Sequence, residues 1–178
     1  MGEIDRAKAT KGRHMPAKKP TKTTSELNAG DKAPSFILAR DDGSTVSLKD
    51  FRDRKLVLYF YPKADTPGCT QEAIDFSRLR TAFAKVDTEI LGVSADPVAA
   101  QAKFKGKHKL KIDLASDEST TMLEAYGAWG EKSMYGRKFL GVIRKTFLID
   151  GAGRIVRVWT KVKVAAHAEE VLEAVRAL

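Results

Sequence analysis

The chain has 178 residues, a net charge of +9, one cysteine and three histidines. That length suits one domain closing its own core without disulfide or metal staples. The composition excludes an intrachain disulfide, a Cys-x-x-Cys redox pair and a multi-cysteine zinc site, and no apolar run approaches the roughly 20 residues of a membrane span.

Residues 1–26 hold seven Lys and Arg against three acidic residues and almost nothing apolar. Such a segment cannot bury enough surface to offset its chain entropy, so it is read as a disordered basic extension. It lacks the apolar core of a secretory signal. A solvated basic tail is the reading preferred over a nucleic-acid arm.

Folded patterning starts near Leu27. Residues 35–40, an Asp-Gly turn and residues 45–48 predict a hairpin. Residues 56–61 form an unbroken run of β-formers, which suits an interior strand covered on both faces. Over residues 70–85, Ala73, Phe76, Leu79 and Phe83 recur at helical spacing. Residues 89–93 predict a second buried strand, and Pro97 opens a second helix. Short elements follow at 112–115 (strand) and 119–126 (helix). Residues 146–149 and 155–159 flank a Gly-rich turn and predict a hairpin. The C-terminal helix groups Ala168, Val171, Leu172, Val175 and Leu178 on one face. A helix between strands 56–61 and 89–93 makes those strands parallel. The economical arrangement is an α/β domain over 27–178, a central mixed sheet with helices on both faces, in the element order of a thioredoxin-like fold.

The chemistry centres on Cys69. The loop from Tyr61 to Thr70 leaves the C-terminal end of a buried strand, where open α/β sheets gather their sites. Thr66 then Pro67 reads as a helix N-cap with proline at the first helical position. Cys69 therefore falls in a first helical turn, where unpaired N–H groups and the macrodipole favour thiolate over thiol. Against this stands the plain alternative of a buried free cysteine acting as a small hydrophobe.

The segment Pro62-x-x-x-Thr66-x-x-Cys69 resembles the active-site signature of the peroxiredoxins. The wider stretch 59–76, YFYPKADTPGCTQEAIDF, resembles their bacterioferritin comigratory protein, or Q-type, group. The likeness continues in order through 30–36, 91–97 and 126–156. It implies peroxide reduction by thiol chemistry, with Cys69 as the peroxidatic cysteine, Pro62 and Thr66 as the motif's proline and threonine, and Arg144 as the family's distant active-site arginine. Fixed donors on Cys69 N–H, Thr66 and Arg144 suit a reaction that moves negative charge from sulfur to a leaving oxygen. Many members of the group carry a second cysteine five residues after the first. Here that position is Ile74, and the chain holds no other cysteine. The resemblance thus implies a one-cysteine variant whose sulfenic acid needs an external thiol, from a thioredoxin or a glutathione/glutaredoxin system. Its substrates would be hydrogen peroxide and organic hydroperoxides, with no cofactor and no metal. The expected state is a cytoplasmic monomer or weak dimer. The alternative function is a single-turnover peroxide sensor, or an anion-binding protein using the basic surface.

Other residues are assigned plainer roles. The alternating lysines of 103–111 are read as a solvated face rather than a nucleic-acid site. Trp129 and Tyr135 are candidate walls of the peroxide pocket. His108 and His167 are read as surface residues, and Glu72 as a partner of the helix dipole with no catalytic role.

Overall fold

The computed structural model describes residues 26–178. The predicted basic extension lies outside them except for Glu26. Seven strands form one sheet, and a separate two-stranded ribbon stands beside it. In chain order come β1 (Ile37–Arg40), β2 (Thr45–Ser47), a 3-10 turn (Leu48–Phe51), β3 (Lys55–Phe60), α1 (Pro67–Ala84), β4 (Thr88–Ser94), α2 (Val98–His108), β5 (Asp113–Ser116) and α3 (Thr121–Ala125). The ribbon strands β6 (Trp129–Met134) and β7 (Arg137–Val142) follow, then β8 (Lys145–Ile149), β9 (Ile155–Trp159) and α4 (His167–Arg176).

The sheet order is β2-β1-β5-β4-β3-β8-β9. β3 lies in the interior, parallel to β4 and antiparallel to β8, as its unbroken apolar run requires. From Leu56 to Phe60 every β3 side chain is fully buried. The period-2 alternation sends Leu56, Leu58 and Phe60 into one core, shared with α3 and the 3-10 turn. Val57, Tyr59 and Tyr61 enter the other, beneath α1, α2 and α4. Cys69 belongs to this second core, so its position is anchored by the same packing that holds the helices.

β4 runs beside β3 with Gly92 opposite Tyr59. A Cβ on Gly92 would lie 2.8 Å from the Tyr59 ring and 3.0 Å from Leu114 Cδ2. The glycine is there for the approach of that ring, not for its backbone freedom. Gly92→Ala is expected to cost about 1–3 kcal/mol through overpacking. Urea unfolding checks this, and a change within a few tenths of a kcal/mol would show that the ring moves aside freely.

One element is added and two expectations change. The β6–β7 ribbon escaped the sequence reading because its strands, WGEKSM and RKFLGV, leave most of their side chains exposed or half-buried. Neither shows a strongly buried face to betray it. Tyr135 sits at the ribbon's tip and is 98% exposed, so it is no pocket wall, whereas Trp129 packs against the first core. His167 is not a surface residue. It is buried against Phe76 and Trp159, with Nε2 2.8 Å from Thr146 Oγ1. Burial holds it neutral by lowering its pKa to about 4.

Candidate active site

The loop between β3 and α1 is tied down at several points before it reaches the cysteine. Tyr61 N–H donates to the Val93 carbonyl at 3.1 Å, and the Tyr61 hydroxyl donates to Gln101 on α2. Gln101 Nε2 donates in turn to Ser94 Oγ at 2.8 Å and to the Ala115 carbonyl at 2.9 Å. Ser94 Oγ donates to Asp96 at 2.6 Å, and the same carboxylate oxygen accepts from Ala64 N–H at 2.8 Å. Gln101 and Ser94 are fully buried, so this chain of polar groups is satisfied inside the protein, where a broken link costs most. Asp65 takes a left-handed backbone, φ 61°, which aspartate tolerates better than most residues. Its two oxygens meet Lys107 Nζ at 2.8 Å and His108 Nε2 at 2.7 Å. Those bonds hold its carboxyl below the usual carboxylate range.

Thr66 is the N-cap residue of α1 and Pro67 occupies the first turn, as the Thr-Pro pair predicts. The Thr66 side chain does not cap. Its hydroxyl donates back to the Lys63 carbonyl at 2.7 Å, closing the loop on itself, while the Thr66 carbonyl accepts from Thr70 N–H. Pro62 is half-buried at the loop's start. Cys69 follows in the first turn and is 2% exposed.

Arg144 lies one residue ahead of β8, in the short link from the ribbon, rather than within the strand. Its Nη2 is 3.2 Å from Cys69 Sγ, and its Nη1 is 2.9 Å from Glu72 Oε1. The sheet order makes this meeting, because β8 is the antiparallel neighbour of the strand that feeds the cysteine loop. One guanidinium thus bridges a sulfur and a carboxylate three residues apart on one helix face. A Cβ on Gly68 would lie 3.5 Å from the same Nη2, so glycine leaves the guanidinium open on that side.

Glu72 departs from its reading as a partner of the helix dipole: it lies beyond the first turn of α1 and is 1% exposed, with Oε2 lacking any hydrogen-bond partner among the described residues. Burial pushes its pKa up to about 7, and the opposing pull of Arg144 only partly offsets this. For Arg144 the balance is reversed. Burial works against its charge, but Glu72 and Cys69 outweigh burial and hold it above its ordinary value. The spacing from Cys69 to Glu72 was the available signal, since three residues on a helix share a face. A second cation comes from the ribbon, where Lys132 Nζ donates to the Val142 carbonyl at 2.8 Å. Burial, and then Arg144, lower its pKa. Beneath the site the Tyr59 ring stacks on Phe76 with centroids 4.7 Å apart.

Of the four residues singled out from sequence, the fold brings Cys69 and Arg144 into contact, with Thr66 at the head of the same helix and Pro62 at the loop's base. The arrangement offers a sulfur at a helix N-terminus, a fixed cation against it and a loop that excludes water.

Residues 29–158 match the AhpC/TSA family. The chain is 43% identical over 150 residues to the peroxiredoxin Bcp of Bacillus subtilis, covering 84% of this chain and 96% of that protein. Against the peroxiredoxin Bcp of Escherichia coli K12 it is 40% identical over 146 residues, covering 82% and 94%. Among solved structures, the bacterioferritin comigratory protein of Xanthomonas campestris, described for its alkyl peroxide reduction activity, superposes with a TM-score of 0.76 at 41% identity, covering 80% of this chain and 90% of that one. A Xylella fastidiosa PrxQ structure gives a TM-score of 0.82 at 37% identity, covering 86% and 98%.

Proposed function

This chain belongs to the AhpC/TSA family, in its bacterioferritin comigratory (Q-type) peroxiredoxin group, and is a thiol-dependent peroxidase; from that premise we propose that Cys69 is its peroxidatic nucleophile, with Arg144, Thr66 and Pro62 serving it. The observation that carries the reading is the 3.2 Å contact between Arg144 Nη2 and Cys69 Sγ in the first turn of α1.

The Cys69 thiolate attacks one peroxide oxygen in line. The S–O bond forms as the O–O bond breaks, and the second oxygen leaves as hydroxide or alkoxide and takes up a proton. Negative charge passes from sulfur to the leaving oxygen. A guanidinium beside the sulfur can donate to both, and it needs no reorganisation to do so. The Cys69 N–H belongs to the first turn and is free to donate to a bound oxygen. The Thr66 hydroxyl reaches the substrate by turning its proton away from the Lys63 carbonyl. Pro62 stiffens the loop that keeps water out.

The product is a sulfenic acid. With Ile74 in place of a second cysteine, an external thiol reduces it. The reductant is proposed to be a thioredoxin or a glutathione/glutaredoxin system, with hydrogen peroxide and organic hydroperoxides as substrates. Among the described residues no helix is long and apolar enough to cross a membrane. A cytoplasmic monomer or weak dimer is the proposed state.

Intact mass spectrometry after graded peroxide tests the assignment. Cys69 should gain one oxygen at about one equivalent and hold it until a thiol is added. Excess peroxide without thiol should add a second oxygen that thiols do not remove. An unmodified thiol at excess peroxide would refute the assignment. Oxidation that stops at one equivalent despite added thiol would instead favour the single-turnover sensor.

A further inference from the structure

The exposed side of α1 forms one wall of a cleft of about 350 Å³, closed on the other side by the end of α2 and the link into β5. Its floor includes Ile74, 38% exposed, the position where a second cysteine would stand. Its lining is rich in cations: Arg78, Arg80, Lys109 and Lys111 stand there beside His108, and no carboxylate does.

Two of these groups are already engaged. Arg78 pairs with Glu169 and lies 3.8 Å from Asp75, and His108 holds Asp65. The other three are not. Arg80, Lys109 and Lys111 are exposed, and no carboxylate of the described residues comes within 4.0 Å of their side-chain nitrogens. The negative end of the α2 dipole accounts for cations in that helix's last turn. The same end favours Lys109, the C-cap residue, but it does not account for Lys111, which lies past the helix, or for Arg80 on α1. Lys111 N–H donates to Ser77 Oγ at 2.6 Å, which fixes the link against α1 and keeps the cleft's shape. Through the bond from His108 to Asp65, the cleft adjoins the loop that carries Thr66 and leads to Cys69.

We propose that this cleft docks the external reductant, and that the reductant is an anionic small thiol bearing carboxylates, of the glutathione class. The proposal rests on the reading of Cys69 as the peroxidatic cysteine. Where a neighbouring internal thiol is missing, the surface instead presents unpaired cations that raise the local concentration of an anionic one. The first thiolate attacks the Cys69 sulfenic sulfur. The S–S bond forms and the S–O bond breaks, and oxygen leaves with a proton from solvent and that of the sulfenic acid as water. A second thiol attacks the bound thiol's sulfur and releases Cys69 as thiolate. The two thiols are oxidised to a disulfide and the sulfenic acid is reduced.

The test separates the two half-reactions. Cys69 is oxidised with one equivalent of peroxide, and loss of the sulfenic acid is followed by rapid quench. Glutathione, neutral 2-mercaptoethanol and cationic cysteamine are compared at equal thiolate concentration. Glutathione should be the fastest, and its advantage should shrink as salt is raised. The combined variant Arg80→Gln, Lys109→Gln, Lys111→Gln should lose about tenfold in the glutathione step at low salt. Its oxidation by peroxide should be unchanged, which also shows that it is folded. Equal rates for the three thiols, or a variant that reduces normally, would overturn the proposal. So would a variant slowed only toward a dithiol protein such as thioredoxin. Failure of Cys69 to form a sulfenic acid at all would overturn the peroxidase assignment and this inference with it.

Discussion

Arg144→Ala should slow the oxidation of Cys69 by peroxide about 10²–10³-fold, the loss typical of removing a preorganised donor aimed at developing charge. The guanidinium 3.2 Å from Sγ is fixed where it can donate to the leaving oxygen as negative charge moves onto it. Arg144→Lys tests the same point from the other side, because a lysine keeps the charge but cannot reach sulfur and Glu72 with one planar group. It should recover only part of the rate. Stopped-flow oxidation across pH measures all of this. A rate constant for Arg144→Ala equal to that of wild type would remove Arg144 from the mechanism.

Glu72→Gln should flatten the pH dependence of stability between about 4.5 and about 7. The carboxyl is buried and its pKa is raised from 4.5 to about 7, so the folded protein holds this proton more tightly than the unfolded chain does. The stability that this proton confers is fully present below the unfolded pKa. It is lost as pH rises through the folded one. A shift of that size corresponds to about 3 kcal/mol between the ends of the window. Glutamine keeps an acceptor for Arg144 Nη1 but does not titrate. His167 tilts the curve the opposite way below 6.5, since its pKa is lowered to about 4, so the difference between variant and wild type is the quantity to read. Chemical unfolding at pH 5 and pH 8 measures it. An unchanged difference between the two pH values would show that Glu72 is ionised throughout. The same substitution should remove an inflection near pH 7 from the oxidation rate, because only neutral Glu72 leaves the whole charge of Arg144 to the sulfur.

Sequence revealed most of what packing dictates. The apolar run at 56–61 could only be an interior strand, and the Thr-Pro pair placed Cys69 in a first turn. Arg144 is harder to place. Its local sequence says nothing of sulfur, and it entered the reading only through family resemblance. The position of β8 beside β3 supplies the physical reason. The burial of Glu72 and the reading of His167 as a surface residue share one cause. A single charged or polar residue on a helix looks exposed unless the depth of that helix in the fold is known, and α1 and the start of α4 both face the second core. The β6–β7 ribbon was missed because elements outside the core need no hydrophobic alternation.

The polar chain from Tyr61 through Gln101, Ser94 and Asp96 to Ala64 bears on the role proposed for Cys69. The cysteine is shielded, yet under that proposal its oxidised sulfur has to be presented to another molecule. At Tyr61 the strand side of its loop is held by buried bonds through Gln101 to Ser94 and the Ala115 carbonyl, which water reaches only if the core between α2 and the sheet opens. The helix side is held by ordinary first-turn bonds such as Thr70 N–H to the Thr66 carbonyl, beside solvent. The cheaper route for exposing the sulfur is therefore to fray α1 from its start, with Tyr61 to Ala64 acting as a fixed post.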